Sequence, residues 1–271
     1  MASLAAMEKS LPERLYATTQ YSQVLSTLQS KTGKTADDWI LMGKSHFMLA
    51  DYKKASEAFE KAASLQPTDS SIYLWLGRSY GRRAESANVF SAPGLASKSR
   101  QHFEKAVELD PSNGEALNDL FEYYLEAPGF LGGGEEKAQA LISKIREIDP
   151  AEAHFAAAKL AESRKDWNKA EQQLSRAFQA APGQIGRALD LAKFLARRGK
   201  IPESELAFKH AEKIDPNSPQ LLFTRAQTYI EGNRNKNAAR AMLERYLKSQ
   251  LSPDDPPRAQ AERLLRQAGG D

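Results

Sequence analysis

Small and large apolar residues recur three or four positions apart along most of the chain. In residues 36–69, Trp39, Met42, Gly43 and His46 share one helical face, and Ala55, Phe59 and Ala62 share another. Leu49-Ala50-Asp51-Tyr52 breaks the pattern between them as a turn, and Pro67 closes the second run. The stretch predicts a helix, a turn and a second helix. Neither helix can hide its apolar face alone, so each needs a neighbour.

The same arrangement returns. Proline punctuation falls at Pro67, Pro111, Pro150, Pro182 and Pro216, after glutamine at the first and after aspartate or alanine at the rest, with successive spacings of 44, 39, 32 and 34 residues. A period of about 34 residues with two insertions accounts for all four. In register, the first helix carries a small residue at Gly43, Gly77, Ala158, Ala192 and Ala226. The second helix carries a small residue at Ala55, Ser99, Ala138, Ala170, Ser204 and Ala238. A large one follows at Phe59, Phe103, Ile142, Leu174, Phe208 and Met242, and a second small one at Ala62, Ala106, Ala177 and Ala211. Small residues let two helices approach to within about 8–10 Å, and the large ones fill the space beside them. Trp39 and Trp167 fall at packing positions and are expected in the core. Trp75 could face either a groove or the preceding hairpin.

This pattern resembles the tetratricopeptide repeat, and the general run of the chain is similar to bacterial proteins of that kind. The resemblance implies an all-α fold, a right-handed α-solenoid of about six helical hairpins. The expected division is a degenerate first unit at 1–35, then hairpins at 36–69, 70–113, 114–150, 151–184, 185–218 and 219–251. A capping helix at 252–271 follows, with Ala261, Leu264, Leu265 and Ala268 on its inner face. Phe121 and Ile145 depart from the small-residue pattern in the third hairpin, so looser or shifted packing is expected there. Arg245 and Gln250 depart from it in the sixth, as suits a terminal repeat.

The family also implies a concave groove lined by the first helix of each hairpin. Carried over residue by residue, the groove presents Ile40, Lys44 and Phe47, then Leu74, Arg78 and Arg82, then Asn118 and Glu122. Phe155 and Lys159, Lys193 and Arg197, and Phe223 continue it. Apolar anchors alternate with two basic clusters separated by acids, which suits an extended or helical peptide with acidic groups. The carboxylate-gripping subtype of the family is not matched: Ile40, Lys44, Trp75, Glu115 and Asp119 stand where it carries mostly lysine, asparagine and arginine.

The two insertions lie between the paired helices, ten residues around 84–96 and five around 127–134. A solenoid places such turns on one edge. Phe90, Phe130 and Leu131 could form a hydrophobic lip there, or fold inward over helix ends as loop apolar residues usually do.

Composition narrows the function. Of 271 residues, 41% are hydrophobic and 27% charged, and the formal net charge is +3, too weak to imply nucleic acid. There is no cysteine, which excludes disulfides and thiolate chemistry and leaves the compartment open, cytoplasmic by default with an exported, periplasmic form as the alternative. No apolar run is long enough for a membrane helix. Met1–Lys9 lacks the apolar core of a signal peptide. His46, His102, His154 and His210 have no metal-ligand spacing, and no cofactor or catalytic set is visible. The glycine run at 132–134 follows a helix where a phosphate cradle needs a strand, so it reads as a helix end and hinge. The reading is a non-enzymatic adaptor for a protein or peptide partner of unknown identity, a monomer with weak self-association left open. The alternative is an assembly subunit of a larger complex, with an envelope as one setting.

Overall fold

A computed structural model describes residues 9–269. The segment 1–8, which bears on the signal-peptide expectation, lies outside them, as do the last two residues of the expected cap. Among the described residues there are fifteen α-helices and no strand. They are α1 (Leu11–Ala17), α2 (Tyr21–Gln29), α3 (Ala36–Met48), α4 (Tyr52–Leu65), α5 (Ser70–Glu85), α6 (Ala92–Leu109), α7 (Gly114–Glu126) and α8 (Glu135–Ile148). Then come α9 (Pro150–Ser163), α10 (Trp167–Ala180), α11 (Ile185–Arg197), α12 (Ile201–Ile214), α13 (Pro219–Glu231), α14 (Lys236–Lys248) and α15 (Arg258–Gly269). The chain divides into two compact bodies, Met1–Gly134 and Glu135–Asp271. Within each, consecutive helices pack as pairs: α3 with α4 and α5 with α6 in the first, α9 with α10, α11 with α12 and α13 with α14 in the second.

Helix starts follow local chemistry. Thr35 and Asp38 form a capping box on α3, and Asp51, Asp69, Asn113 and Asp166 each accept a backbone N–H at the start of α4, α5, α7 and α10. Asp149 caps α9 directly, with Pro150 in its first turn. Four residues link each of the other hairpins from α3 onward to the next; here Asp149 alone does. That linker is three residues shorter, and α9 is one residue longer than α11, which explains the spacing of 32 between Pro150 and Pro182 against 34 for the next pair. Within hairpins the turn reverses through a left-handed residue, Ala50 (φ 60°), Lys165 (φ 58°) or Gly199 (φ 75°).

The hairpins close by the expected size complementarity. Ala55, Phe59 and Ala62 are fully buried with Ile72 and Leu76 in the first body. Ala188, Ala192, Phe208 and Ala211 do the same in the second. Burying each such phenylalanine contributes about 1.5–3 kcal/mol. Where the second helix carries serine in place of alanine, its hydroxyl donates to the carbonyl of the small residue opposite. Ser99 reaches Gly77 O and Ser204 reaches Ala192 O, both at 2.8 Å. These bonds satisfy hydroxyls that would otherwise be buried unpaired.

Two expectations are corrected. In the last hairpin the buried residues are Ala239, Leu243 and Tyr246, one position after the expected Ala238, Met242 and Arg245. The turn before α14 has four residues against three in the other regular hairpins, with Asn233 and Asn235 both at φ 48°. The extra residue rotates α14 by one position. Trp167 is not core: it begins α10 with 36% of its surface exposed, under the Arg198 guanidinium 4.7 Å from its ring.

Candidate partner-binding surfaces

In the first body, α3, α5 and α7 succeed one another as the first helices of their hairpins. Lys44, Phe47 and Arg78 gather around Trp75, the residue whose direction the sequence left open. The Phe47 ring meets Trp75 edge-on at 5.2 Å, while Phe59 stacks on it at 5.8 Å from inside the hairpin. Lys44 Nζ lies 5.3 Å and the Arg78 guanidinium 4.9 Å from the Trp75 centroid. Trp75 is half-buried, so this is a partly exposed aromatic surface flanked by two cations.

Arg78 is not a free cation. Its Nε donates to Asp119 at 2.5 Å and its Nη2 to Glu115 at 2.9 Å, both on α7. Burial pushes the Asp119 carboxyl above its ordinary range, against the pull of Arg78. Burial opposes the Arg78 charge too, but the bond to Asp119 and its charge outweigh it and raise the Arg78 pKa. Arg82 donates to Glu85 at 2.7 Å and lies over Tyr52 at 5.6 Å. Ile40 and Lys44 also line a cleft of about 400 Å³ whose far wall is Ser10, Pro12 and Tyr16, so the N-terminal segment covers that end of the surface.

In the second body, Phe155 on α9 is half-buried beneath two cations, Lys159 and Arg187, each 5.3 Å from its ring. Arg187 is bonded to Glu152. Lys193 pairs with Asp190 at 3.1 Å and Arg197 with Glu162 at 2.8 Å. Lys193 and Arg197 on α11 face Gln227 and Glu231 on α13 across a polar cleft of about 530 Å³. Arg78, Arg82, Lys193 and Arg197 are therefore all ion-paired within the chain. Several of these pairs tie one hairpin's first helix to the next.

Two expected groove anchors belong to the core. Leu74 and Phe223 are each 3% exposed, and the Phe223 ring lies 5.3 Å from Tyr246. Tyr246 occupies a position where every other hairpin but the third carries alanine, and its ring fills the space beside Phe223. Of the expected lip, Phe90 is 93% and Phe130 82% exposed, while Leu131 is half-buried and Leu95 of the first insertion packs into the core. Most of the first insertion lengthens its helices: α5 has 16 residues against 13 in α3, and α6 has 18 against 14 in α4. The second insertion is pinned by Tyr123 Oη donating to Leu131 O at 3.0 Å and Gly134 N to Tyr124 O at 2.7 Å. A Cβ on Gly133 would run into the Ala127 carbonyl, so glycine there serves a tight turn.

The acids that neutralise Arg78 were legible in principle. Asp119 and Glu115 lie about one and two helical turns before the residue in register with Arg78 on the next first helix, a signal that a search of adjacent hairpins for opposite charges would find. Among the described residues no cluster of three or more histidine and carboxylate groups could hold a metal ion, and no helix is long and apolar enough to cross a membrane.

Stacked helical hairpins with a small-for-large exchange at each interface define an α-helical repeat scaffold. Residues 36–69 match the tetratricopeptide repeat family model, and the helical hairpins on either side share the fold of such repeats. Its fold is shared by a thermophilic protein of the family from Thermus thermophilus, with TM-score 0.56 and 18% identity, covering 68% of this chain and 95% of that one. It is shared also by a tetratricopeptide repeat protein from Parabacteroides merdae, with TM-score 0.58 and 14% identity, covering 94% and 91%. In sequence the chain is 26% identical over 181 residues to "DnaJ protein P58IPK homolog B" of Oryza sativa subsp. japonica, covering 64% of this chain and 38% of that protein. It thus spans about two fifths of the length of that curated relative. Proteins of this family are generally non-catalytic scaffolds for protein partners.

Proposed function

We propose that this chain is a non-enzymatic adaptor that holds a peptide segment of a protein partner against the first-helix surface of its hairpins. The observation that carries the reading is the Trp75 patch. A half-buried indole, edged by Phe47 and flanked by Lys44 and Arg78, remains on the surface where Leu74, its neighbour on α5, is withdrawn into the core. Such a patch offers an apolar anchor with polar rims, the usual anatomy of a peptide site. Because Arg78 is already satisfied by Asp119 and Glu115, recognition rests on the aromatic anchor and on hydrogen bonding more than on net charge.

A photo-crosslinking residue placed at Phe47 should capture peptides from a displayed random library, and selected peptides should share an apolar anchor. Trp75→Ala should abolish that selection while circular dichroism remains helical. Recovery of the same peptides by the Trp75→Ala chain would remove this reading.

The exposure of Phe90 and Phe130 favours a second reading, an assembly contact on the insertion side of the first body. Concentration-dependent sedimentation that becomes monomeric in Phe90→Ser with Phe130→Ser would support it over the adaptor.

A further inference from the structure

A second cleft, of about 490 Å³, lies between α8, α9 and α10 in the second body. It uses the other face of α9: His154, Ala157 and Ala161 line it, whereas Phe155 and Lys159 belong to the surface described above. Four cationic side chains ring it, Arg146, Arg164, Lys169 and Arg176. Arg164 is bonded to Glu135 at 2.8 Å. Among the described residues, no carboxylate pairs with Arg146, Lys169 or Arg176. The one acid in the lining, Asp166, is occupied as the cap of α10, accepting from Lys169 N at 3.1 Å. This sets the cleft apart from the first-helix surfaces, where Arg78, Arg82, Lys193 and Arg197 are all neutralised within the chain.

The floor adds a neutral polar pair. His154 Nδ1 and Gln173 Oε1 are 2.7 Å apart, an arrangement that leaves the Gln173 amide N–H groups as donors. His154 stands at the register position that Trp39 fills in the first hairpin, where a larger ring packs against the core. The lining therefore holds an excess of positive charge, two further donors from an amide, and apolar walls from α9 that weaken solvent screening.

We propose that this cleft binds a small phosphorylated molecule, with the arginine guanidiniums and Lys169 on its phosphate oxygens. Planar guanidiniums present paired donors that match phosphate oxygens, and a doubly charged group meets more of the unpaired positive charge than a single carboxylate. The volume lies in the range of small-ligand sites and exceeds what one bare ion needs.

The test is calorimetric titration of the full chain with pyrophosphate, with sodium chloride at matched ionic strength as the control. Saturable pyrophosphate binding is expected. Arg146→Gln with Arg176→Gln should weaken it by about tenfold or more. Lys209→Gln with Lys213→Gln, the same loss of charge on exposed positions of α12, should leave it unchanged. Arg146 and Arg176 are exposed, so the melting curve of their variant without ligand should match the parent. No saturable binding by the parent would overturn the assignment. So would equal affinity in the Arg146/Arg176 variant, or an equal loss in the Lys209/Lys213 variant.

Discussion

Gly43 stands so close to Phe59 that a Cβ on residue 43 would lie 2.7 Å from the Cζ of that ring. Gly77 and Phe103 repeat the relationship one hairpin later, at still closer range. In both hairpins the absent side chain is the space the aromatic ring occupies. Gly43→Leu and Gly77→Leu should each destabilise the chain by about 1–3 kcal/mol through overpacking. Denaturant melts measure this, and a parent-like midpoint for both would mean the rings can move aside.

The one-position shift of α14 separates two neighbouring residues. Leu243 is fully buried, whereas Met242 packs only at the edge of the same cluster. Leu243→Ala should cost about 2–5 kcal/mol. Met242→Ala should cost clearly less. The reverse order, read by urea unfolding, would restore the register expected from the repeat period alone.

Stability should fall as the solution is acidified, partly through His102. Burial, with Tyr80 stacked on the ring at 5.3 Å, holds its pKa below the usual imidazole range, and Lys98 adds to the effect while Glu60 opposes it. The unfolded chain therefore takes up the proton first. The penalty begins as pH drops below about 6.5 and is complete once pH is below the folded-state value. His102→Gln should flatten this part of the stability profile between neutral and mildly acidic pH. His46, also lowered mainly by burial, contributes with the same sign and should remain in that variant.

Arg78 and Asp119 should be energetically coupled across two hairpins. Arg78→Gln and Asp119→Asn, made singly and together, should yield a coupling energy on the order of 1 kcal/mol that shrinks in high salt. Additive single effects would show that the 2.5 Å pair contributes nothing measurable.

Phe90→Ser and Phe130→Ser should leave the melting transition within about 0.5 kcal/mol of the parent, because both rings stand in solvent. A larger loss in either would place that ring against the fold.

How far residue patterns carried the structure depends on what kind of constraint each residue obeys. The alternation of Gly43 with Phe59 and of Ala192 with Phe208 follows from volume matching between paired helices, a local rule repeated at a fixed period. Lys44 and Phe47 reach a shared surface for the same reason, since helical spacing alone places them on one face. The rule fails where neighbouring hairpins intervene. Phe223 sits at a groove position by spacing, yet the Tyr246 ring covers it, and Arg78 is basic by sequence yet neutralised by Asp119 some forty residues later.

The chain by itself determined the helical hairpin, its period and the small and large residues at each interface, because these arise from contacts within about 34 residues and from side-chain volume. Only the tertiary structure decided which cations remain unpaired, which aromatic rings stay in solvent and how α14 is rotated. Those outcomes depend on the length of single turns and on partners brought together from different hairpins, and neither distance nor exposure is encoded by any one segment.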